Sequence, residues 1–408
     1  MKEKTSIVLI ITVFLLSLYV MFTPRALASS TDGYDLTIVN RVGDEARFQK
    51  AVELFNKKYP TVRVVERQID DPRVLATEIM AGGEGIDLIG LQDSFMTVSA
   101  AILLKNGALE DLNRHPELLS QRELWIDMFG FVTIDGHWYA VPEIAEVHLF
   151  QVNTDLAEMI GWQIPTGRWS QSELTELASR IKEWNDKSEK HIYLLQEDTF
   201  LMPYFFHEYQ ANHVDIYNNT AAYDTEEYIE LLRTYQWLND NGLFCKSYAM
   251  LNPKMRPDTL LLSVRFDGLP SLGEGTFILP PGKTGKEAYP VYGCVLSVSA
   301  NTPHMEEAVY FIYCYMSREA LELQNSLSWG FWLKDGMHTQ YAYSFEHISD
   351  ENRMLWNFVL ENSVPELYLY DISREQYKTL FPALLEGKIT PERFAAISQQ
   401  LADMALGE

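Results

Sequence analysis

Cysteine is scarce in this sequence. Only Cys245, Cys294 and Cys314 occur among 408 residues, and there is no CxxC pair or Cys/His cluster. An odd number of cysteines with this spacing does not match a disulfide framework or a zinc-binding cluster. A single bond between Cys294 and Cys314 can be drawn, but we favour buried free thiols. The cysteine content therefore excludes a scaffold held together by disulfides.

Positive charge is scarce as well. The 33 Lys and Arg residues are outnumbered by 57 Asp and Glu residues, which leaves a formal net charge of -24. An acidic surface repels phosphate backbones, so we expect no binding to nucleic acid and no adhesion to an anionic membrane by charge. Glycine and proline are modest and 47% of the residues are hydrophobic, which is typical of a globular chain. The length favours two domains or one large α/β unit.

Motifs that carry catalysis are missing. His207-Glu208 lacks the second histidine of a zinc motif, because position 211 is Ala. Gly282-Lys283-Thr284 resembles the end of a phosphate-binding loop, but Phe277 stands where that loop needs glycine. No G-x-S-x-G sequence occurs. We therefore predict no catalytic residues, no cofactor and no metal site.

The N-terminus has the pattern of an export signal. A short charged start is followed by an apolar run from Ser6 to Phe22, and then by Ala26-Leu27-Ala28. This pattern predicts cleavage after Ala28. The run of 17 residues is at the lower limit for crossing a membrane, so retention as an N-terminal anchor is the alternative. No cysteine follows the run closely, which excludes a lipid-modified cysteine. In either case we expect the chain to work outside the cytoplasm: secreted, at the extracellular face of the membrane, or in a periplasm.

Strands and helices alternate after the polar residues 29–34. A nearly all-apolar segment, Ile86 to Leu91, is typical of a strand buried on both faces of a parallel sheet. The alternation predicts βαβ units. In this first part we predict strands over Asp35 to Asn40, Thr61 to Glu66 and Ile86 to Leu91, with helices over Glu45 to Tyr59 and Pro72 to Met80.

The later part continues in the same style. Gly136 to Pro142 predicts a hairpin arm, and Glu146 to Asn153 predicts a separate strand. Val291 to Ser299 predicts another strand. We predict helices over Ser170 to Trp184, Thr225 to Asn239, Pro303 to Met316, Arg318 to Leu327, Asn352 to Glu361, Ser373 to Leu385 and Thr390 to Leu406.

Short motifs recur in one order along residues 35–408. They are Phe55-Asn-Lys-Lys-Tyr-Pro60, Ile86-Asp-Leu-Ile89, Gly107-Ala-Leu-Glu-Asp-Leu112, Gly136-His-Trp-Tyr-Ala-Val-Pro142 and Leu149-Phe-Gln-Val-Asn153-Thr-Asp-Leu156. Their order resembles that of the extracellular solute-binding protein family of ABC importers, in its sugar-binding group. Departures are Val152, where a tyrosine is usual, and Arg168, where a threonine precedes the tryptophan.

The resemblance implies an α/β protein with a two-lobed, type II periplasmic-binding-protein-like fold. A hinge of three segments would join the lobes, with crossings near Glu143 to Gln151, Arg265 to Pro270 and Ser326 to Phe331. Lobe 1 would contain residues 35–143 and 268–327. Lobe 2 would contain residues 150–265 and 330–408. The ligand would bind in the cleft between the lobes.

The same resemblance implies a function without catalysis. The protein would bind a small polar ligand, a sugar or oligosaccharide, and close around it by a shift in population. It would deliver the ligand to ABC permease subunits in the membrane, and we expect it to be a monomer. Two alternatives remain open: a membrane-tethered ligand sensor on the same fold, and a secreted carbohydrate-active hydrolase.

Polar candidate site residues follow the predicted strands. Arg41 and Asp44 come after the first strand, and Gln92, Asp93 and Ser94 come after the third. Ligands of open α/β sheets gather at the carboxyl ends of the strands, and charged and amide groups can bind sugar hydroxyls in pairs of hydrogen bonds. The alternatives are a helix cap for either aspartate and a surface ion pair for Arg41.

Three further polar candidates lie at the implied hinge crossings. Glu143 and His148 flank the first crossing, and Asp267 lies at the second. A carboxylate at a hinge could accept a hydrogen bond from a sugar hydroxyl. The alternative for each is a solvated or salt-bridged residue that serves the hinge alone.

Aromatic candidates follow the third implied crossing. Trp329 and Trp332 occur in Ser-Trp-Gly-Phe-Trp, which reads as a loop between helices. Exposed indole faces stack on the apolar faces of sugar rings. Tyr204 and Tyr292 are weaker candidates for the same contact. The alternative for all four is core packing.

Overall fold

The computed structural model describes residues 33–69, 71–81, 85–91, 103–125, 129–196, 206, 209–210, 212–215, 218–245, 258–266, 275–282, 289–323, 349–365, 372 and 375–407. All statements about the fold concern these residues. The candidates Gln92, Asp93, Ser94, Tyr204, Asp267, Trp329 and Trp332 lie outside them, as does the predicted export signal.

Parallel strands and covering helices begin the chain, as the sequence predicts. Helix α1 starts at Asp44, whose side chain accepts a hydrogen bond from the Arg47 amide, and it buries Phe48, Ala51 and Phe55 on one face. The first elements are β1 (Asp35–Val39), α1 (Glu45–Lys58), β2 (Arg63–Arg67), α2 (Pro72–Met80), β3 (Leu88–Leu91), α3 (Pro116–Arg122), β4 (Thr133–Ile134), β5 (His137–Trp138) and β6 (Ala140–Val152).

Further strands and helices form the second half of the chain. Helix α5 begins with a capping box, in which Ser170 and Glu173 satisfy each other's backbone amides. The elements are α4 (Thr154–Met159), α5 (Gln171–Asn185), β7 (Tyr193–Gln196), β8 (Val214–Asp215), β9 (Thr220–Ala221), α6 (Glu226–Asp240), β10 (Phe244–Cys245), β11 (Thr259–Phe266), β12 (Thr276–Ile278), β13 (Tyr289–Val298), α7 (Met305–Tyr315), α8 (Arg318–Leu321), α9 (Asp350–Glu361), β14 (Ser363–Pro365), α10 (Phe381–Leu385) and α11 (Pro391–Gly407).

Strand β6 runs through the middle of a ten-stranded sheet. Eight strands have the order β10-β7-β11-β6-β13-β3-β1-β2, and the other two are β12, which pairs with β6, and β14, which pairs with β13. Strand β6 has 13 residues, whereas strands usually have three to ten. Residues 140–146 pair with β13, and residues 147–152 pair with β11. The hairpin arm predicted over Gly136 to Pro142 is present, because β5 pairs with β4. The strand predicted from Glu146 to Asn153 instead begins at Ala140, as part of one continuous β6.

A bulge explains how β6 tolerates Pro142. The register shifts between Cys294 and Val295 of β13, which face Ile144 and Pro142, so Glu143 is the extra residue between them. Bulges accommodate proline and re-aim the side chain of the extra residue. The bulge therefore keeps the strand continuous and gives Glu143 its own direction.

Two clusters of buried hydrophobic residues divide the molecule along β6, and they define the two lobes. Lobe 1 buries residues between Leu36 and Leu149 and between Val291 and Val359, together with Phe277 and Leu279. Lobe 2 buries residues between Phe150 and Leu261 and between Ile372 and Leu406, together with Ile278. The boundary between the clusters falls within β6 itself, between Leu149 and Phe150.

The predicted limits of the lobes remain a proposal, and two elements add detail to them. Strand β12 pairs with residues 150–152 of β6, although its Phe277 packs in lobe 1. Helix α9 contributes Val359 to lobe 1, whereas the predicted limits assign residues 330–408 to lobe 2. The chain moves from the lobe 2 end of β6 to its lobe 1 end between β12 and β13, because β12 pairs with residues 150–152 and β13 pairs with residues 140–146.

Cys245, Cys294 and Cys314 are buried thiols that form no disulfide bond, as the favoured prediction had it. Burial raises the pKa of the Cys314 thiol to about 12. Over the ranges that the structure describes, no helix has the length and apolar character needed to cross a membrane.

Candidate functional site

The carboxyl ends of the parallel strands of both lobes face one gap. Strand β3 is antiparallel to β13, and β13 is antiparallel to β6, so β3 runs in the direction of β6 toward lobe 2. Strands β1 and β2 run parallel to β3. In lobe 2, β11 is antiparallel to β6. Strands β7 and β10 run parallel to β11, so the carboxyl ends of all three point toward lobe 1. Carboxyl ends of parallel strands are where ligands of such sheets bind.

The pairing register relates the strand ends of the two lobes along β6. Leu91, the last residue of β3, is level with Pro142 of β6 through Val295, and Leu195 of β7 is level with Val152 through Leu261. Strand β11 reaches further toward lobe 1, because its Phe266 pairs with Val147. The strand ends of the two lobes therefore face each other from opposite ends of β6.

The loop after β1 forms the lobe 1 edge of the gap. Asn40 has a left-handed φ of 53°, and its side-chain amide exchanges two hydrogen bonds with the backbone of Ile69, at 2.7 and 2.8 Å. Gly90 of β3 lies against this loop so closely that a Cβ there would meet the backbone of Asn40 and lie 2.8 Å from the Arg41 Cα. The loop is therefore clamped from two sides.

Arg41 is committed to partners within lobe 1. Its guanidinium donates to the Glu66 carboxylate, to the Gly43 carbonyl at 2.7 Å and to Glu45 Oε2 at 2.7 Å, and it stacks over Phe48. Burial opposes its charge, but the hydrogen bond that it donates to Glu66 and the nearby acidic groups raise the pKa of Arg41 above its usual value. The ion pair was one of the two roles that the sequence left open for Arg41, and the helix cap was one of those for Asp44.

Glu143 is buried where the bulge of β6 meets the β1–α1 loop. Its Oε2 accepts a hydrogen bond from the Val42 amide at 3.3 Å, and its Oε1 accepts one from the Tyr315 hydroxyl at 2.9 Å. Gly43 lies directly against this pair, because a Cβ there would be 2.6 Å from Glu143 Oε1 and would also clash with the Tyr315 hydroxyl. Only glycine fits this close approach. Glu143 thus ties the loop to the strand that joins the lobes.

Arg47 is the member of this cluster that sequence reasoning missed. Its side chain is buried, Nε donates to the Tyr315 carbonyl at 3.1 Å, and the guanidinium lies 3.9 Å from the centroid of the Tyr315 ring. A signal was present: Arg47 precedes Ala51 and Phe55 at four-residue spacing on the buried face of α1. A charge on an apolar stripe needs a buried partner, and here Glu143 and Asp44 supply opposite charge.

Burial dominates the ionisation of this cluster. It raises the pKa of Glu143 above that of an ordinary glutamate, although Arg41, the Tyr315 hydroxyl, the Val42 amide and Arg47 all act in the opposite direction. It lowers the pKa of Arg47 and raises that of Tyr315. The lobe 1 edge is therefore a desolvated, hydrogen-bonded network that holds a loop in place.

His148 and Tyr292 lie on the strands that join the lobes. His148 is opposite Arg265 in the β6–β11 ladder, and Tyr292 is opposite Glu146 in the β13–β6 ladder. Both positions fall between the levels at which the strands of the two lobes end. Of the twelve predicted residues, the structure brings Arg41, Asp44 and Glu143 together at the lobe 1 edge and places these two along the floor of the gap.

A polar contact joins Lys105 of lobe 1 to Asn219 of lobe 2. The Lys105 ammonium donates to the Asn219 side-chain carbonyl. Lys105 directly follows Leu104 of the lobe 1 core, and Asn219 lies in the tight turn between β8 and β9 of lobe 2, with a left-handed φ of 55°. Any change in the angle between the lobes must lengthen or break this contact.

Metal binding finds no support in the described ranges. No group of three or more His, Cys, Asp or Glu side chains there has the arrangement of a metal site. The buried acidic residue of the candidate site, Glu143, instead accepts hydrogen bonds from protein groups.

Comparisons by sequence and by structure differ in outcome. No family model matches this sequence. No curated protein matches it by sequence. Solved structures do match: an ABC substrate-binding protein from Listeria monocytogenes in complex with cycloalternan has a TM-score of 0.62 at 17% identity, covering 92% of this chain and 100% of that one.

Two further solved structures extend the comparison. A cyclic α-maltosyl-1,6-maltose binding protein from Arthrobacter globiformis has a TM-score of 0.62 at 18% identity and covers 91% of this chain and 98% of that one. An ABC transporter solute-binding protein from Agrobacterium vitis with bound D-mannitol has a TM-score of 0.56 at 19% identity and covers 92% and 98%. The described chain and these structures therefore share one fold, the two-lobed α/β fold of ABC solute-binding proteins, which confirms the fold predicted from the sequence.

Proposed function

We propose that this protein binds a sugar or oligosaccharide in the gap between its lobes and delivers it to ABC permease subunits in the membrane. The observation that carries the proposal is the convergence of parallel strand ends from both lobes on one gap. Support also comes from the similar structures, whose descriptions name cycloalternan, a cyclic maltosyl-maltose and D-mannitol as ligands or bound molecules.

Closure of the lobes would convert binding into a signal for the permease. A ligand that contacts both lobes favours the closed population in proportion to its extra affinity for that state. The continuous strand β6 supports this motion, because its two halves belong to different lobes and pair with different strands. In this role the protein is a monomeric receptor and not an enzyme.

The ligand contacts that we propose come from loops that follow the facing strand ends. Gln92, Asp93 and Ser94 follow β3, and Asp267 follows β11 in sequence. They would hydrogen-bond to ligand hydroxyls, with Arg41 and Asp44 at the same edge and Glu143 and His148 beside the floor. Trp329 and Trp332 would stack on sugar rings, with Tyr204 and Tyr292 as further aromatic contacts.

Delivery to a permease places the protein outside the cytoplasm. Residues 1–28 carry the charged start, apolar run and Ala-x-Ala sequence of an export signal, and an uncleaved anchor would serve the same end. We propose that the mature receptor is secreted or held at the extracellular face of the membrane, or lies in the periplasm of a Gram-negative cell. Mass spectrometry of the exported protein, with a new N-terminus at Ser29, tests the cleaved form.

The experiment that tests the function is a binding screen by thermal shift and calorimetry. The panel contains cycloalternan, maltose and D-mannitol, with amino acids and polyamines as other classes. We expect a saturable rise in melting temperature with a carbohydrate or polyol alone, and no product on prolonged incubation. Stabilisation by an amino acid or polyamine alone would contradict the sugar assignment, and release of product would contradict the receptor role.

Variants sharpen the screen. Trp329→Ala and Trp332→Ala should each weaken sugar binding by about five- to twelve-fold, because a lost stacking platform costs about 1–1.5 kcal/mol. Trp184→Ala on helix α5 is the matched control, since Trp184 packs against the lobe 2 core away from the facing strand ends. Equal affinity in all three variants would remove the tryptophan loop from the proposed site.

A further inference from the structure

A second cavity lies on the β12 side of β6. Its volume is about 520 Å³, which is within the range of small-molecule sites. Strand β12 forms its floor, where Phe277, Ile278 and Leu279 are buried. The loop at residues 164–168 forms one wall, and helix α9 forms the other.

The two walls belong to different lobes. Ile164 of the loop packs against the lobe 2 core, whereas Leu355 and Phe358 of α9 pack against the lobe 1 core. Both walls are attached to the strand that forms the floor. The Trp169 indole donates to the Leu279 carbonyl at 2.6 Å, and the Asn352 side chain donates to the Gly275 carbonyl at 3.1 Å. These bonds hold the cavity open in advance, which lowers the ordering cost of binding.

The lining selects for an uncharged aromatic molecule. Phe358 is held edge-on to Tyr289 at 5.7 Å between ring centroids, and the Arg168 guanidinium lies 5.3 Å from the Phe358 centroid. A flat ring can stack against such surfaces. The lining contains one positive and one negative side chain, Arg168 and Glu351, so it favours neither sign of charge. Asn352, Thr166, Thr276 and Ser349 add uncharged polar groups beside the apolar side chains of the lining.

We propose that this cavity is a second ligand site, distinct from the gap between the facing strand ends, and that it takes uncharged, planar aromatic molecules. A ligand there would contact the β12 floor, the lobe 2 loop and the lobe 1 helix at once. The proposal rests on the two-lobed fold and not on the sugar assignment, so the two can fail separately.

The experiment uses the full chain and 6-fluoroindole as the probe, followed by ¹⁹F NMR line broadening. We expect saturable binding with Kd of about 1 mM or below, as befits a fragment of ten heavy atoms in a preformed apolar site. The blocking variant is Gly167→Phe. A Cβ at Gly167 meets nothing within 4 Å, so the new ring can be added without backbone strain. We expect Kd to rise at least ten-fold.

Gly407→Phe is the matched control, because Gly407 at the end of α11 also has open space for a Cβ and lies outside the cavity lining. It should leave Kd within two-fold of the natural chain. Phe358→Ala gives an independent test of the stacking face and should raise Kd several-fold. Absence of saturable binding up to 5 mM probe, or equal Kd in Gly167→Phe and Gly407→Phe, would overturn the proposal whatever the sugar screen shows.

Discussion

The two lobes stabilise their interiors in different ways. Among the described residues of lobe 1, four charged side chains are buried: Arg47, Asp87, Asp111 and Glu143. In lobe 2, the buried polar side chains of the described ranges are neutral: Gln210, Thr259, Gln376 and Ser398.

Lobe 2 relies instead on aromatic packing. Phe206 contacts Tyr228, Tyr235 and Phe381, and the ring centroids of Phe381 and Phe394 are 4.7 Å apart. Its buried polar groups pair with one another, as where Gln376 donates to Ser398 Oγ at 2.9 Å.

The difference teaches where the fold concentrates its electrostatic cost. Burying a charge is expensive unless opposite charges and hydrogen bonds compensate it. In lobe 1, two of the buried charged side chains, Arg47 and Glu143, lie near the edge where strands β1 and β3 end. There, Glu143 and Tyr315 hold the loop from Arg41 to Asp44. We infer that lobe 1 presents a rigid polar edge to the gap, and that its stability depends on charge in a way that lobe 2 does not share.

The largest expected effect is the loss of Glu143. Glu143→Ala removes the acceptor for the Val42 amide and the Tyr315 hydroxyl and leaves buried Arg47 with less opposite charge. Breaking a buried ionic network in this way costs about 3–5 kcal/mol in the free energy of unfolding. Urea denaturation measures it. Glu66→Ala, which removes an exposed partner of Arg41, should cost no more than about 1 kcal/mol, and equal losses would contradict the account.

A lobe 2 core substitution gives the contrasting case. Phe394→Leu removes one ring from the aromatic cluster but keeps an apolar side chain, and it should cost about 1.5 kcal/mol. Because no charge is involved, this loss should be the same at pH 5 and at pH 8. The check is urea denaturation at both values, and a loss that changes with pH would break the comparison between the lobes.

The pH dependence of Glu143 has a definite sign. Burial raises its pKa in the folded protein above the ordinary value of 4.5. In the window above that value the unfolded chain has released the proton while the folded chain keeps it, so the free energy of unfolding falls as pH rises. Glu143→Gln keeps both hydrogen-bond partners without the titration, and it should remove this part of the slope.

Asp111 provides the control for that experiment. It accepts a hydrogen bond from His137 Nδ1 at 2.8 Å, and although burial opposes it, this bond and two backbone amides lower its pKa. Its stabilisation is present above the ordinary aspartate pKa of 3.8 and is lost as pH falls through the lowered value. Asp111→Asn should therefore remove this acid-dependent part of the profile, whereas Glu143→Gln should leave it in place. Loss of the acid-dependent part in Glu143→Gln would contradict the separate assignments.

The smallest expected effect concerns the contact between the lobes. Lys105→Ala removes the exposed bond to Asn219, so the arrangement of the lobes in this structure should lose about 0.5 kcal/mol. Sugar affinity should change by about two- to three-fold in calorimetry: a fall shows that the contact belongs to the ligand-bound arrangement, and a rise shows that it opposes closure. Lys190→Ala, an exposed lysine of lobe 2, is the control. No difference between the two variants would show that the contact does not contribute to closure.

Much of the fold could be predicted because local and global signals agree. The βαβ start was predicted almost to the residue, from Asp35–Val39 through Leu88–Leu91, since alternation, caps and breakers all coincide there. The continuous strand over Ala140–Val152 was predicted only from Glu146 onward, because its bulge depends on pairing with β13, which lies far away in sequence.

The site was harder to predict than the fold. Arg41 was identified by its position after a strand end and Glu143 by its position at the implied hinge, but their partners, Glu66 and Tyr315, are 25 and 172 residues away in sequence. Arg47 was not predicted, because helical spacing alone does not distinguish a charged residue that has buried partners from an incidental charge on the apolar face. Contacts between residues so far apart depend on the sheet order, which local pattern does not encode.

Small-angle X-ray scattering with and without the sugar found in the screen tests the central claim most directly. We propose that the lobes close around a ligand bound where their strand ends face each other across β6. We therefore expect saturating sugar to lower the radius of gyration, and the residual binding of Trp329→Ala at high sugar concentration to produce the same decrease. A radius that stays constant while calorimetry shows full occupancy would contradict it.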